Sequence, residues 1–172
     1  MECEDCGSHN VRRRDIEGHL VEECGLCGHL QGDDEAVALI DELRLGRERG
    51  LDDVIIPLVN ALERAEVFTI VQAFGGNAAL GEYPSVLFRL PGNDASYIER
   101  LLRTIELANR ELKHRWLIEL SLQHQLVYIL RPRFWKPPSE ILQSEIGRAQ
   151  QDVALLARRI RRDVRLSWWS PS

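Results

Sequence analysis

The sequence predicts an α+β protein with a small cysteine-rich module at its N-terminus. Two observations carry that expectation. All four cysteines fall within the first 27 residues, as two Cys-x2-Cys pairs. From Val67 onward, β-rich runs and amphipathic helical stripes follow one another in the order β-β-α-β-β-α, which describes an antiparallel sheet of about four strands with helices packed on one face.

Length and composition bound the rest. A chain of 172 residues that is 44% hydrophobic has enough apolar material for a real core. It contains no run of roughly 18 apolar residues, so no membrane span is expected. The acidic start, Met1-Glu-Cys-Glu-Asp5, lacks the basic-then-apolar layout of a signal peptide, so a cytoplasmic location is expected. In a reducing compartment closely spaced thiols favour metal over disulfides. The net charge of −5 is unevenly spread: residues 1–32 hold seven acids and three bases, whereas residues 131–172 hold four acids and nine bases. A polyanion is therefore expected, if anywhere, at the C-terminal end.

The elements follow in order. Between the cysteine pairs, Val11 to Glu23 forms two short runs around a Glu17-Gly18 turn, a hairpin that brings the pairs together. Asp33-Asp34-Glu35 opens a helix over about 34–46, with acids at the positive end of its dipole and Val37, Ile40 and Leu43 at helical spacing. Gly46 and Gly50 punctuate it. Ile55, Leu58, Val59 and Leu62 make a second helical stripe with Pro57 in its first turn, so residues 33–66 read as a helical connector.

Strands are expected at Val67–Phe74, Ser85–Leu90, Arg115–Leu122 and Leu126–Arg131, the last two joined by a tight turn at Gln123-His124-Gln125. Asn93 or Asp94 caps a helix carrying Ile98, Leu101, Leu102, Ile105, Ala108 and Leu112 on one face. A last helix spans Ser139 to Val164. Residues 67–172 thus form the α+β domain, and the order of elements suggests a doubled ββα unit.

The spacing Cys3-x2-Cys6-x17-Cys24-x2-Cys27 suits a tetrahedral four-thiolate zinc site, with an iron–sulfur cluster or disulfides as the alternatives. A glycine follows each pair, Gly7 and Gly28, where the backbone must turn so that amides point at sulfur. Four thiolates close the coordination sphere, so one structural Zn2+ is expected rather than a catalytic one. His9 and His19 are read as surface residues. Arg12-Arg13-Arg14 is read as a hairpin strand balanced by Glu22 and Glu23, with a phosphate or acidic-partner contact as the alternative.

Residues 1–32 resemble the zinc ribbon of transcription factor IIB, through the two knuckles and the hairpin Asp15 to Cys24. The resemblance implies a docking module that engages a protein partner or nucleic acid. The excess of acids departs from a ribbon that grips nucleic acid, which favours a protein partner.

In the C-terminal region, Arg158, Arg161, Arg162 and Arg165 fall within about 100° of one another on a helical wheel, opposite Leu142, Ile146, Ala149, Val153, Leu156 and Ile160. Nearby, Arg131, Arg133 and Lys136 stand among the aromatics Phe134 and Trp135, and Trp168-Trp169 lies close to the C-terminus. Arginine contacts phosphates and tryptophan stacks on bases, so Arg131, Arg133, Trp135, Lys136 and the four helical arginines are candidates for binding RNA or DNA, or an acidic partner. Solvated helix faces and buried aromatic anchors are the alternatives.

Residues 54–115 are similar, in their helix, strand, loop, strand, helix order, to the wybutosine-synthesis tRNA methyltransferases, through Ile56-Pro57-Leu58-Val59, Val67-Phe68-Thr69, Gly75-Gly76 and Tyr83 to Phe88. That family has serine and cysteine where this chain has Ala73-Phe74-Gly75-Gly76-Asn77, so its catalytic loop is not matched. Gly75-Gly76-Asn77 reads as a hairpin connection, and His114 and His124 flank a strand with no evident carboxylate. The sequence therefore favours a non-enzymatic zinc-binding adaptor or regulatory protein. The alternative is an enzyme or small-ligand-binding domain with the ribbon as a structural staple.

Overall fold

The computed structural model describes residues 2–16, 19–90, 95–122, 126–134, 140 and 142–164. The chain divides into two compact units, residues 1–49 and 50–172. Both are α+β, and no helix among the described residues is long and apolar enough to cross a membrane.

In the first unit β1 (Val11–Ile16) and β2 (His19–Cys24) pair antiparallel, with Val11 opposite Cys24 and Arg13 opposite Glu22. A short third strand that the sequence did not announce, β3 (Leu30–Gln31), adds to β2. The helix α1 (Asp34–Glu48) starts where the Asp33 carboxylate accepts the Ala36 amide at 2.9 Å, the N-cap that the acidic run promised. It continues through Gly46, which is buried, and stops only where Gly50 adopts a φ of +75°, because a single glycine weakens a helix without ending it while a left-handed residue does end it. Ala36 and Ile40 of α1 close over Val21 and Leu30 to form the core of this unit.

The second unit holds α2 (Ile56–Glu63), β4 (Thr69–Phe74), a 3-10 turn (Ala78–Leu80), β5 (Ser85–Arg89), α3 (Ala95–Ala108), β6 (Trp116–Ser121), β7 (Val127–Pro132) and α4 (Gln143–Asp163). The stretch expected as a single connector is therefore divided: α1 lies in the first unit and α2 in the second. All neighbouring strands of the four-stranded sheet are antiparallel, in the order β4-β5-β7-β6. Each ββα stretch contributes one outer and one inner strand, the arrangement a doubled unit would have. The expected helix caps Asn93 and Asp94, and the turn at Gln123 to Gln125, lie outside the described residues. The last helix begins at Gln143 rather than Ser139, with the Glu145 carboxylate accepting the Leu142 amide at 2.9 Å.

The core of the second unit joins Leu58 and Leu62 of α2, Leu101 and Ile105 of α3, and Val153, Leu156 and Ile160 of α4 to Val86, Phe88, Leu130 and Trp116 of the sheet. Burying this much apolar surface is the main force that holds helices to sheet. Polar ties fix the connections. The Asn109 amide clamps the Trp116 backbone on both sides, at 2.8 and 2.9 Å. Thr104 donates to the buried Asp163 at 2.7 Å, linking α3 to α4. Asp152, fully buried on α4, accepts the Lys113 and His114 amides at 2.9 Å each, and a His114 ring nitrogen lies 3.3 Å away.

His114 thus does have a carboxylate partner, 38 residues along the chain. Because that carboxylate accepts two backbone amides, its evident task is to pin the α3–β6 turn to α4. Asp152→Ala would leave both part-buried amides without their acceptor and a hole in place of a buried carboxylate, so we expect it to destabilise the chain by about 1–3 kcal/mol in urea unfolding. Asp152→Asn, which keeps one carbonyl acceptor, should cost less. A loss near zero for Asp152→Ala would contradict the role.

Candidate metal centre

The metal site is assembled by two equivalent knuckles. In the first, the Cys3 amide donates to the Ser8 carbonyl and the Gly7 amide to the Cys3 carbonyl, both at 2.9 Å; in the second, Cys24 donates to His29 and Gly28 to Cys24, again at 2.9 Å. Closing these turns needs left-handed backbone after each pair, and Gly7 and Gly28 supply it with φ of +69° and +75°. The hairpin register then sets Cys24 opposite Val11, and the Gly25 amide donates to the Asn10 carbonyl at 2.7 Å, so the two knuckles stand side by side. A Cβ at Gly25 would lie 2.6 Å from the Asn10 amide nitrogen, which is why the second knuckle reads Cys-Gly.

Together these turns place the four sulfurs within 4.8 Å of one another. Cys3 and Cys27 are 3.6 Å apart, sulfur to sulfur, as are Cys6 and Cys24. A tetrahedron of thiolates each about 2.3 Å from a metal has sulfurs about 3.8 Å apart, so the donor set fits a four-coordinate thiophilic ion. Cys3 and Cys24 are buried while Cys6 and Cys27 face outward. Gln31, which sequence reasoning missed, ties the first knuckle to the sheet: its side chain accepts the Glu4 amide at 3.2 Å and donates to the Glu2 carbonyl at 3.3 Å. No spacing rule reveals a glutamine that acts across 27 residues.

The electrostatics favour the thiolate at one of the four sulfurs and the thiol at two. Amides of Cys27 and Leu26 donate toward the Cys24 sulfur and lower its pKa to about 6. The Cys27 thiol also receives an amide, in the His29 turn, yet burial and the adjacent sulfurs outweigh it and push the thiol up to about 12. Cys6 is raised as well, burial and the neighbouring Cys24 and Cys3 thiols overcoming the Ser8 amide and the Cys27 contact. His9 is exposed and the described cluster contains no histidine; the side chain of His19 lies outside what the structure describes. Two of the three arginines of β1 are paired with the acids opposite, Arg13 with Glu22 at 3.3 Å and Arg14 with Glu23 at 3.1 Å. Such exposed pairs contribute little, roughly 0–1 kcal/mol.

The C-terminal candidates do not form one surface. Arg131 is half-buried, bonded to the Tyr83 hydroxyl and paired with Glu119 at 2.5 Å, on the sheet face opposite the helices. Arg133 is exposed at the end of the same strand, its amide donating to the Arg115 carbonyl at 2.7 Å. Arg161 turns toward α2 and donates to the Pro57 carbonyl at 3.4 Å. Arg158 and Arg162 are exposed on the outer side of α4, where Arg148 shares their stripe. Trp135, Lys136 and Arg165 lie outside the described residues. The Gly75-Gly76-Asn77 loop is packed into the fold: Gln150 donates to the Gly75 and Gly76 carbonyls at 3.0 and 3.2 Å, and a Cβ at Gly75 would meet Asp52 at 2.4 Å.

Because Cys6 and Cys27 carry raised pKa values, they hold protons at neutral pH, and metal uptake must displace them. Zinc titrated into the metal-free chain at pH 7.5 should release at least two protons, read by calorimetry in buffers of different ionisation enthalpy. Affinity should rise with pH, and its slope should steepen below about pH 6, where Cys24 also protonates. Uptake without proton release would contradict the thiolate site. Comparison with protein-family models, curated proteins and solved structures returns no match, so the functional reading rests on this geometry.

Proposed function

We propose that the protein is a zinc-binding adaptor, in which a single structural Zn2+ on Cys3, Cys6, Cys24 and Cys27 shapes an N-terminal ribbon that docks on a protein partner. The carrying observation is the sulfur cluster itself: four thiols within 4.8 Å, drawn from two knuckles of identical hydrogen bonding. Four cysteine ligands saturate a tetrahedral ion and leave no place for water or substrate, which supports a structural metal over a catalytic one. Zinc is favoured over an iron–sulfur cluster because sulfurs 3.6 Å apart match one ion at their centre. Residues 1–49 contain 13 acids and six bases, which supports a basic protein surface as the partner.

The second half of the proposal concerns α4, whose outer stripe carries Arg148, Arg158 and Arg162. An arginine stripe on an exposed helix suits the phosphates of RNA or DNA, or an acidic partner. Arg131 and Arg161 are engaged within the fold and are better read as structural.

Native mass spectrometry of the chain, alone and with single-stranded RNA at low salt, tests both halves. One zinc per chain and an RNA complex are expected. Arg148→Glu with Arg158→Glu should weaken RNA binding and make its salt dependence shallower by about two counterions, because both side chains are exposed and the fold is spared. Iron in place of zinc would overturn the first half. RNA binding that ignores the double variant, or no binding at low salt, would overturn the second.

A further inference from the structure

The two edges of the four-stranded sheet differ. On β4 the register shifts between Ile70 and Gln72, a bulge that breaks the line of outward backbone groups. On β6 no shift interrupts the pairing with β7. The Arg115 carbonyl accepts the Arg133 amide at 2.7 Å, so Arg115 turns its backbone toward β7. Backbone groups alternate along an antiparallel strand, so Trp116, Ile118 and Leu120 turn theirs outward.

Asn109, just past the end of α3, covers the first of these. Its side chain accepts the Trp116 amide at 2.8 Å and donates to the Trp116 carbonyl at 2.9 Å, as a neighbouring strand would. The outward N–H and C=O of Ile118 and Leu120 have no partner among the described residues. Beside them the side chains of Leu120 and Leu122 are 56% and 75% exposed. β6 carries no lysine, proline or bulge, the devices that ordinarily blunt an open edge. An extended backbone offers donors and acceptors at this alternating spacing, and every second side chain of it would meet the leucines.

The far end of the edge selects the kind of segment that fits. A strand laid antiparallel along β6 runs from Leu122 toward Trp116, where Asn109 has taken both backbone groups and the ladder stops. There an open cleft of about 360 Å3 is lined by Asn109, Glu106, Arg110 and Arg115. Among the described residues neither Arg110 nor Arg115 makes an ion pair. One carboxylate against two guanidiniums leaves the cleft a positive balance, which suits an anion placed where the strand ends. A chain terminus supplies that anion and needs no room beyond it. We propose that the β6 edge binds the C-terminal segment of a partner protein. The segment adds as a further antiparallel strand, with apolar side chains against Leu120 and Leu122 and its terminal carboxylate on Arg110 and Arg115.

The pairing is through main chain, so a designed peptide is a sufficient probe. Labelled Lys-Val-Thr-Val-Thr-Val-Thr with a free carboxylate sets its valines opposite Leu122, Leu120 and Ile118. Fluorescence anisotropy with the full chain should show binding in the high micromolar range. Amidating the peptide's C-terminus should weaken it about tenfold, and Arg110→Ala with Arg115→Ala should erase the difference between acid and amide. Methylating the valine nitrogens, which face β6, should abolish binding, whereas methylating the threonine nitrogens should not. Leu120→Pro removes one outward N–H and should abolish binding as well. Proline is tolerated on an edge strand where its nitrogen faces away from the sheet, and circular dichroism checks that the fold is kept. No binding of the free-acid peptide, indifference to valine methylation, or equal affinity for acid and amide would overturn the proposal. So would a dimer in sedimentation velocity that Leu120→Pro dissociates, since the edge would then belong to a second copy.

Discussion

The first unit depends on its sulfur cluster because it has so little else. Its buried apolar cluster is Val21, Leu30, Ala36 and Ile40, with Ile16 and Val37 packed against it, and Leu43 of α1 is buried as well. These lie between the hairpin and α1, away from the knuckles. Residues 2–10 contribute one buried cysteine and a few hydrogen bonds, so the first knuckle is held in place by its sulfurs and by Gln31. Units of this size commonly need a metal or disulfides to fold. A structural zinc supplies on the order of 10 kcal/mol in small peptides, comparable to the whole net stability of a domain. With its four sulfurs within 4.8 Å of one another, the cluster is placed to hold one four-coordinate ion.

The second unit is built on the opposite principle. Its core runs continuously through three helices and four strands, and the α3–β6 turn and the α3–α4 contact are fixed by polar groups with satisfied partners: Asn109 on the β6 backbone, Asp152 on the α3–β6 turn, Asp163 on Thr104. Buried polar groups of this kind are costly when unpaired and confer a single arrangement when paired. The outer arginine stripe of α4 lies on the side of the helix away from this core.

Much of this was legible in the sequence wherever it rested on periodicity or on fixed spacing. The cysteine pairs, the helical stripes and the four long strands all follow from patterns that repeat over a few residues, and the structure reproduces them to within a few positions. What escaped was long-range. β3 is two residues long, too short for any alternation, and exists only because β2 has an edge to fill. The link from Asp152 to His114 crosses 38 residues, and neither residue type marks the other. Of the four arginines expected opposite the apolar stripe of the last helix, Arg165 lies outside the described residues, and a wheel does not say which neighbour abuts the margin for the others: Arg161 donates to Pro57 of α2, while Arg158 and Arg162 are exposed. Arg131 alternates with the buried Leu130, and only the sheet's orientation shows that this sends it away from the helices.

The claim on which the account stands is that the metal holds the first unit and that the second unit is held by its own core. Hydrogen–deuterium exchange with mass spectrometry, before and after chelation, measures both at once. The account predicts that amides of the knuckles and of β1, β2 and β3 lose protection when the metal is removed, while those of α3, α4 and the four-stranded sheet keep theirs. Unchanged protection of the knuckles, or loss of protection throughout the chain, would contradict it.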